Sequence, residues 1–584
     1  MNAQSPIGLR ISRAAPAAAT DRVPVDPVVA EVIRHALNSA ANQIKKTLVR
    51  TAFSPIIYEV LDFAAALYDR KLRLLAQAPT LPLFMGTLNF CVEAAIAGIG
   101  GPEKLGPGDV VLYNWPYGTG AHAQDAALIQ GAFDERGALI GYAVVKAHWL
   151  DIGAVAPYCT DTTDVFQEGT FFPGVFLFRN GELVDDMYRC VLANSRLPRV
   201  IDGDIRAQAT AVGIGVAELE RIVRRHGKDL FEAAVERIFD HGEAMVRSYF
   251  ERLPDGFYRG AGRMDSNGVD GVPIPIDVAV EIAGSEIRID FSQVAPEQNG
   301  PVNCPLPSTI SAARVAIAML AGAREAPNEG HFRPVEVITR PGSMFDPKPP
   351  APCFLYGWPA LQAIEVIYEA ISKIDATLVP ACSGGDICSV VWWGRREETG
   401  EMWGDGSPFP VGHGGHARGD GCTMMHVAEA ATRFASMEIM ETRNPWRVEH
   451  CEFVADSGGA GAARGGMGYD MTFRLLEDTY VTAALERTRT APAGLHGGHE
   501  GRPNGGTFVY PDGRSEPFSK VTSHLLPRGS AMTIHAGGGG GYGDPLARER
   551  ESVRRDVADG LVSAAQARSV YGLECDAHCS RIDM

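Results

Sequence analysis

The sequence predicts a mixed α/β (α+β) protein that is multidomain and loop-rich, with largely antiparallel sheets and flanking helices. Three observations indicate this class. Long stretches repeat apolar residues at helical spacing, and shorter stretches alternate apolar with polar residues. Several of the shorter stretches are joined by turns too short for a helical crossover, which favours antiparallel pairing. In addition, 65 glycines and 38 prolines set many turns and loops.

The first segment is rich in alanine, proline and serine. Residues 1–25 contain no apolar run of the length that a signal peptide requires, so we expect a disordered N-terminal arm. Asp26 followed by Pro27 predicts a helix start, because an acidic N-cap precedes proline at the first helical position. Apolar residues then recur at helical spacing from Val29 to Leu48, which predicts one long helix with a buried stripe.

Short apolar segments separated by turns follow this helix and predict strands. The predicted strands cover residues 61–68, 72–76, 109–113, 126–133 and 139–147. Asp69 to Lys71 predicts the turn between the first two strands, and Asp134 to Gly137 predicts the turn between the last two. Antiparallel hairpins are therefore expected in this part of the chain.

A second helical region is expected from Ile205 to Glu251, with Gly213, Gly215 and Gly227 as breaks. Later segments are expected as follows: a strand hairpin around Gly284, helices over 305–325 and 359–374, glycine-rich loops over 404–424 and 456–468, strands after Val448, and two closing helices over 546–571. We therefore predict a metal-site domain over 26–255, a central α/β domain over 256–447, and a C-terminal β-rich domain with closing helices over 448–584.

Charge and cysteine content exclude several classes of protein. The formal net charge is -17, which argues against nucleic acid as a partner and against an anionic membrane surface. The longest apolar runs are far shorter than the roughly 20 residues of a transmembrane helix. Eleven scattered cysteines do not form a disulfide framework and are compatible with a reducing compartment, so we expect a cytoplasmic protein. The group Cys575, His578 and Cys579 is interpreted as incidental.

Four side chains suggest a divalent metal site. His122 and Asp125 lie three residues apart after a glycine-containing turn, and His148 closes a predicted strand. Asp62 lies in the earlier hairpin. Two imidazoles and two carboxylates without a thiolate are typical of a catalytic Zn²⁺, Mn²⁺ or Fe²⁺ site with an open position. Asp151 would fix an imidazole tautomer, so His148 and Asp151 are the candidate catalytic residues.

Each of these residues has an ordinary structural interpretation as well. A His-x-x-Asp pair alone is typical of a capped turn. A single histidine on an apolar strand is commonly a core residue with its hydrogen bonds satisfied. From spacing alone, the metal site is therefore one of two open interpretations.

Two glycine-rich segments are candidate anion sites. Ser457, Gly458 and Gly459, followed by Arg464, offer backbone donors and one guanidinium that could hold a carboxylate or phosphate. The run from Gly537 to Gly541 could cradle an anion or form a tight structural crossing. It is not a P-loop, because no Lys-Ser/Thr follows it.

In the order in which they occur, several motifs make the chain similar to the hydantoinase B/oxoprolinase family. The matching stretches are Asp62-Phe63, Leu75 to Ala78, Tyr117 to Asp125, Ala147 to Gly153, Gln167 to Gly169, Gly203 to Gln208, Pro301 to Asn303, Asn328 to Gly330, Arg333-Pro334, Asp456 to Gly468, Gly537 to Pro545 and Asp556 to Val562. The family often has Gly-Gly-Thr/Ser-His-x-x-Asp where this chain has Gly-Thr-Gly-Ala-His-Ala-Gln-Asp, so the rim of the pocket is expected to differ.

The resemblance implies an ATP-dependent enzyme that opens cyclic amides such as hydantoins, 5-oxoproline or lactams. The alternative is an ATP-dependent carboxylase of ketones such as acetone or acetophenone, which would also use bicarbonate. For either activity, the resemblance also implies a hetero-oligomer in which a hydantoinase A-type ATPase subunit binds ATP and Mg²⁺. In similar enzymes the metal ligands look like Asp62, His122, Asp125 and His148 of this chain. A scaffold subunit without a live site is the non-enzymatic alternative.

Overall fold

The computed structural model of this protein describes residues 24–321, 326–426 and 432–574. Most of the arm predicted for 1–25, and the group Cys575, His578 and Cys579, lie outside the described residues.

The first helix, α1 (Pro27–Thr51), begins where the sequence predicts. The side chain of Asp26 accepts a hydrogen bond from the N–H of Val28 at 2.8 Å. Pro27 occupies the first helical position, where an N–H would have no partner within the helix. The buried stripe of α1 includes Ile33, Leu37 and Ile44. The predicted capping and burial are thus confirmed.

Residues 63–183 contribute the strands of a seven-stranded, wholly antiparallel sheet. Its strands are β1 (Phe63–Asp69), β2 (Leu74–Gln77), β3 (Val110–Tyr113), β4 (Asp125–Phe133), β5 (Leu139–His148), β6 (Pro173–Arg179) and β7 (Glu182–Leu183), in the order β2-β1-β5-β4-β3-β6-β7. The five strands expected in this region are confirmed, with ends that differ by one or two residues.

Further helices flank the sheets. They are α2 (Leu88–Gly98), α3 (Pro116–Thr119), α4 (Asp185–Ala193), α5 (Pro198–His226), α6 (Lys228–Phe250), α7 (Leu306–Leu320), α8 (Glu329–Phe332), α9 (Gly357–Ser372), α10 (Met437–Arg443), α11 (Arg550–Ala558) and α12 (Ala564–Ser569). Helices α1, α5 and α6 share an apolar core with one face of the large sheet, and the other face belongs to a larger core that includes α7 and α9. Within the described ranges, every helix is too short or too polar to cross a membrane.

Helix α5 corrects one prediction. It runs through Gly213 and Gly215 without interruption and ends at Gly227, whose φ is +78°. A Cβ at Gly215 would lie 2.6 Å from Cδ1 of Ile44 and 2.9 Å from Cβ of Ala143. Glycine therefore lets α5 approach α1 and β5 closely, and this packing outweighs the low helix propensity of glycine.

Alanine substitutions should separate these two glycines. A Cβ at Gly213 would meet only Oε1 of Gln130, at 3.8 Å, so Gly213→Ala is expected to stabilise the fold by about 0.5–1 kcal/mol through helix propensity. Gly215→Ala is expected to destabilise it by about 1–3 kcal/mol through overpacking. Urea unfolding measures both free energies, and equal effects of the two substitutions would contradict this account.

Three smaller sheets follow in the chain. Their strands are β8 (Gly256–Met264), β9 (Ile274–Ala283), β10 (Glu286–Asp290), β11 (Val335–Ile338), β12 (Ser389–Arg395), β13 (Met402–Ser407), β14 (Trp446–Phe453), β15 (Tyr469–Leu475), β16 (Thr479–Ala484), β17 (Gly505–Val509), β18 (Ser515–Phe518), β19 (Lys520–Leu526) and β20 (Ala531–Ala536). The sheet orders are β11-β10-β9-β8, β13-β12-β16-β19 and β14-β15-β20-β17-β18. All pairs are antiparallel except β10 with β11.

Two expectations for the later chain need adjustment. The second of these sheets takes β12 and β13 from one side of residue 448 and β16 and β19 from the other. The domain boundary predicted between 447 and 448 therefore cuts a hydrogen-bonded sheet. The loop expected over 404–424 begins inside β13, whose last residue is Ser407.

Candidate metal centre

The strand pairing brings three predicted metal ligands to one end of the large sheet, where β4 begins and β5 ends. Antiparallel pairing of β4 with β5 places Asp125 directly opposite His148. The N–H of His148 donates to the carbonyl of Asp62 at 3.1 Å, so the end of β5 also lies beside the residue that precedes β1. Because alternate residues of a strand share a face, Asp125 and His148 share a face with Ala127 and Val144, which belong to the larger core.

The candidate donor atoms of His122, Asp125 and His148 lie within a few ångströms of one another. Nε2 of His122 is 2.9 Å from Nδ1 of His148, and Oδ1 of Asp125 is 3.3 Å from that Nδ1 and 3.4 Å from the Nε2. Ligands at about 2.0–2.1 Å from a tetrahedral Zn²⁺ are about 3.3 Å apart. All three side chains are buried. His122, Asp125 and His148 therefore form a group that could hold a metal ion.

Asp62 lies beside this group and is less tightly placed. Its Oδ2 is 3.9 Å from Nδ1 of His148. The preceding segment is a π-helix over Ile56–Val60, followed by Leu61 with φ +67°. A π-turn and a left-handed non-glycine residue are both uncommon, and π-turns occur frequently at functional sites. This irregular backbone directs the carboxylate of Asp62 towards His148.

Two distant residues, which the sequence analysis missed, orient the group. Nδ1 of His122 lies 2.9 Å from the carbonyl oxygen of Phe354. Because a carbonyl only accepts, Nδ1 must carry the proton, which leaves the lone pair on Nε2 facing the other two side chains. The hydroxyl of Tyr356 donates to Oδ2 of Asp125 at 2.9 Å. Both residues lie between the helices predicted over 305–325 and 359–374, in a stretch whose sequence gave no sign of a functional role.

Aromatic rings enclose the centre. The ring centroids of Phe354, Tyr356 and Tyr158 lie 4.9, 5.2 and 6.1 Å from that of His122. All three aromatic side chains are buried. Such walls exclude water, which strengthens electrostatic interactions inside the site.

The pKa values of the two carboxyl groups of the centre are shifted in opposite directions. Burial tends to raise the pKa of Asp125, but the neighbouring imidazoles outweigh it and lower that pKa. Burial, together with the charge of Asp125, raises the pKa of Asp62. Lys146 is also buried. Its Nζ donates to the carbonyl of Thr119 at 3.0 Å and lies 3.3 Å from the centroid of the Phe84 ring, and burial lowers its pKa to about 8. Carboxylates with diverging pKa values are characteristic of functional sites.

Asp151 is placed differently from the prediction. Its carboxylate is fully buried, accepts from the backbone N–H and the guanidinium of Arg196, and lies 3.3 Å from the N–H of Gly153. The tautomer of His122 is fixed by the Phe354 carbonyl and not by Asp151. A catalytic role for Asp151 stays a prediction, and its described contacts are those of a structural ion pair.

The polar groups of the predicted anion-binding loop form hydrogen bonds with other parts of the protein. The hydroxyl of Ser457 donates to the carbonyl of Val454 at 2.5 Å, and the N–H of Gly459 donates to the carbonyl of Gly539 at 2.8 Å. The guanidinium of Arg464 donates to the carbonyl of the adjacent Gly465 and lies 3.6 Å from Asp556. A Cβ at Gly458 would lie 2.3 Å from the Gly465 carbonyl oxygen. Anion binding by Ser457, Gly458, Gly459 and Arg464 stays a prediction that these contacts do not favour.

The run from Gly537 to Gly541 is a tight structural crossing. Its five N–H groups all donate to protein acceptors at 2.6–3.0 Å. At each of these glycines a Cβ would come within 2.7 Å of a neighbouring backbone atom. Of the two interpretations left open by the sequence, the crossing is therefore the one that the contacts support.

Comparison with known proteins identifies the family of the chain. The family model described as hydantoinase B/oxoprolinase matches residues 26–545. The chain belongs to the hydantoinase B/oxoprolinase family.

Individual relatives share the whole length of the chain. It is 26% identical over 585 residues to the caprolactamase subunit beta of Pseudomonas jessenii, covering 94% of this chain and 97% of the relative. The crystal structure of ATP-dependent caprolactamase from Pseudomonas jessenii matches with a TM-score of 0.88 and 26% identity, covering 95% of this chain and 97% of that one. The nucleotide-free structure of an acetone carboxylase matches with a TM-score of 0.84 over 94% of this chain and 79% of that one. Its identity of 19% shows a shared fold alone.

Proposed function

We propose that this chain is the metal-carrying subunit of an ATP-dependent cyclic amide hydrolase that opens hydantoin, 5-oxoproline or lactam rings. It would act in a hetero-oligomer with an ATP-binding subunit of the hydantoinase A type. The observation that carries the proposal is the convergence of His122, Asp125 and His148 within 3.4 Å of one another. Membership of the family, and the likeness to the beta subunit of a caprolactamase, support the reaction class.

The donor set fits a divalent cation such as Zn²⁺, Mn²⁺ or Fe²⁺, held by His122, Asp125 and His148 with Asp62 as the fourth ligand. When bound, such a cation would polarise the amide carbonyl and lower the pKa of water. Asp62 would close on the cation from the position it occupies now, 3.9 Å from His148.

The remaining residues of the site would prepare the reaction. Tyr356 engages one oxygen of Asp125 and leaves the other facing the imidazoles. Tyr158 and Phe354 pack against His122, with ring centroids 6.1 and 4.9 Å from that of the imidazole, and would help to exclude water. Lys146 adds a buried positive charge that balances the nearby carboxylates.

ATP and Mg²⁺ would be bound by the partner subunit. In this proposal the partner transfers the γ-phosphoryl group of ATP to the amide oxygen and releases ADP. Water then attacks the ring carbon, the ring C–N bond breaks to leave the amine, and phosphate departs to leave the carboxylate. The absence of a Lys-Ser/Thr after the glycine run from Gly537 to Gly541 is compatible with this division of labour.

The proposal is tested by reconstitution. We expect the purified chain, mixed with its ATP-binding partner, ATP, Mg²⁺ and hydantoin, 5-oxoproline or caprolactam, to yield a ring-opened product as ATP is consumed. Elemental analysis should find about one divalent transition-metal ion per chain. ATP consumption without a ring-opened product from any of these substrates would overturn the proposal.

Two alternatives give other results in the same experiment. Strict dependence on bicarbonate, with a carboxylated ketone as product, would select a ketone carboxylase. A scaffold subunit would purify without stoichiometric metal, and the activity of the complex would survive Asp125→Ala.

A further inference from the structure

We infer that Glu168 is a positioning residue of the metal centre and acts through the segment Cys353–Tyr356. Glu168 lies in the loop between β5 and β6, and its side chain is fully buried. One oxygen, Oε1, accepts from the N–H of Cys353 at 2.7 Å and from the N–H of Phe354 at 2.9 Å. The hydroxyl of Thr162 donates to the same oxygen at 3.0 Å. A single carboxylate thus fixes two consecutive peptide groups.

The segment held by Glu168 makes two contacts with the candidate ligands. The carbonyl of Phe354 faces Nδ1 of His122, and the hydroxyl of Tyr356 faces Oδ2 of Asp125. The chain of contacts runs from Glu168 to the peptide N–H of Phe354, then from the carbonyl of Phe354 to the imidazole. Glu168 therefore helps to set the position of the acceptor for His122.

Burying this carboxylate is costly, which argues against an incidental role. Its second oxygen, Oε2, is buried and has no hydrogen-bond partner among the described residues. A buried carboxylate oxygen without a partner is expensive, and such cost is tolerated where function requires it. The segment is also held by Asn303, whose Nδ2 donates to the carbonyl of Pro352 at 2.8 Å, and by a bond from the N–H of Leu355 to the carbonyl of Pro301 at 2.7 Å. Loss of Glu168 should therefore loosen the segment locally and leave the fold in place.

Loss of Glu168 is expected to change the tautomer or the orientation of His122. With its acceptor fixed, the neutral imidazole of His122 carries its proton on Nδ1, and the lone pair of Nε2 would be available to a bound cation. With its acceptor free to move, the imidazole can change tautomer or rotate, and either change removes a ligand. Outer residues that orient ligating imidazoles typically contribute about 10–100-fold to metal affinity.

The inference rests on the proposed metal centre and is tested by zinc affinity. The full-length chain is stripped of metal and titrated with Zn²⁺ against a competing chelator. We expect Glu168→Ala to weaken zinc binding by about 10–100-fold. Glu168→Gln, which keeps an oxygen acceptor of the same reach, should stay within about threefold of the unchanged chain. Should Glu168→Ala fail to fold, Glu168→Asp, which is one methylene too short, replaces it with the same expectation.

Asp109 supplies the matched control. It is a buried carboxylate that accepts the N–H groups of Gly106 and Asn180, at the far end of the same sheet. The strand that follows it pairs with β4 at Gln130, which is five residues, or about 17 Å along the strand, from Asp125. Asp109→Ala should lower the melting temperature of the metal-free chain and leave zinc affinity unchanged.

Three results would overturn the inference: unchanged zinc affinity in Glu168→Ala, an equal loss in Asp109→Ala, or an equal loss in Glu168→Gln. A second readout needs no metal. The ¹⁵N resonances of His122 in the metal-free chain, assigned with His122→Asn, should report the Nδ1–H tautomer, and Glu168→Ala should change them. A parent chain that binds none of Zn²⁺, Mn²⁺ and Fe²⁺ but shows this change would refute the proposed metal centre while sustaining the role of Glu168 in orienting His122.

Discussion

Asp125→Ala is expected to abolish stoichiometric metal binding and to lower ATP-dependent ring opening by about a thousandfold or more. Asp125 is almost completely buried and stands 3.3–3.4 Å from the nitrogen atoms of both imidazoles. Its removal leaves His122 and His148, whose nitrogen atoms are 2.9 Å apart, with Asp62 as the remaining carboxylate, and the Oδ2 of Asp62 is 3.9 Å from Nδ1 of His148. Three donors with one carboxylate offset the charge of a divalent ion less well than four donors with two carboxylates.

Metal content per chain and the rate of ring opening measure this result. Asp134→Ala is the matched control, because Asp134 lies in the hairpin turn between β4 and β5, where it caps the N–H groups of Arg136 and Ala138. It should keep both the metal and the activity. Retention of a full metal complement by Asp125→Ala, with the fold intact by circular dichroism, would mean that the cation binds elsewhere.

The second large effect concerns stability, at the glycine crossing. Gly539→Ala is expected to destabilise the protein by more than about 4 kcal/mol, enough to remove it from the soluble fraction. A Cβ at this position would lie 1.9 Å from the carbonyl oxygen of His413 and 2.2 Å from its carbonyl carbon. Backbone atoms cannot swing aside as the end of a side chain can. The N–H of Gly539 also donates to the carbonyl of Gly466, and its carbonyl accepts from Gly459, so any shift breaks hydrogen bonds on both sides.

Soluble yield and urea unfolding measure the loss. Gly505→Ala is the control in the same part of the chain, because a Cβ there would meet only the side chain of His535, at 3.7 and 3.8 Å. We expect this control to remain soluble, with a change in the free energy of unfolding of about 1 kcal/mol or less. Equal behaviour of the two variants would show that the crossing tolerates expansion.

Local patterns in the sequence specify much of the first half of the fold. The N-cap at Asp26 and the helical repeat predict α1, and turn residues between alternating segments predict β1, β2, β4 and β5. The hairpin of β4 and β5 also brings together part of the candidate site. Once the turn at Asp134 to Gly137 is set, the register of β4 against β5 places Asp125 opposite His148. Local hydrogen bonding and a period of two residues are sufficient to determine this pair.

The predicted breaks in α5 were wrong for a reason that lies outside the helix. Gly213 and Gly215 have the same intrinsic preference, which is unfavourable to a helix. The difference between them lies in what an added Cβ would meet: the end of the Gln130 side chain at 3.8 Å for Gly213, and the side chains of Ile44 and Ala143 at 2.6 and 2.9 Å for Gly215. Propensity describes the isolated chain, and packing decides the outcome.

By itself, the sequence determined the fold class, the first helix, the hairpins and the residue types of a candidate metal-binding group. Only the tertiary structure decided which groups orient that group: the carbonyl of Phe354, the hydroxyl of Tyr356 and the carboxylate of Glu168. These contacts join residues up to 232 positions apart, and two of them involve backbone groups, which almost every residue type possesses. Spacing and composition report interactions within a helix turn or a hairpin, whereas the meeting of distant segments depends on how whole layers pack.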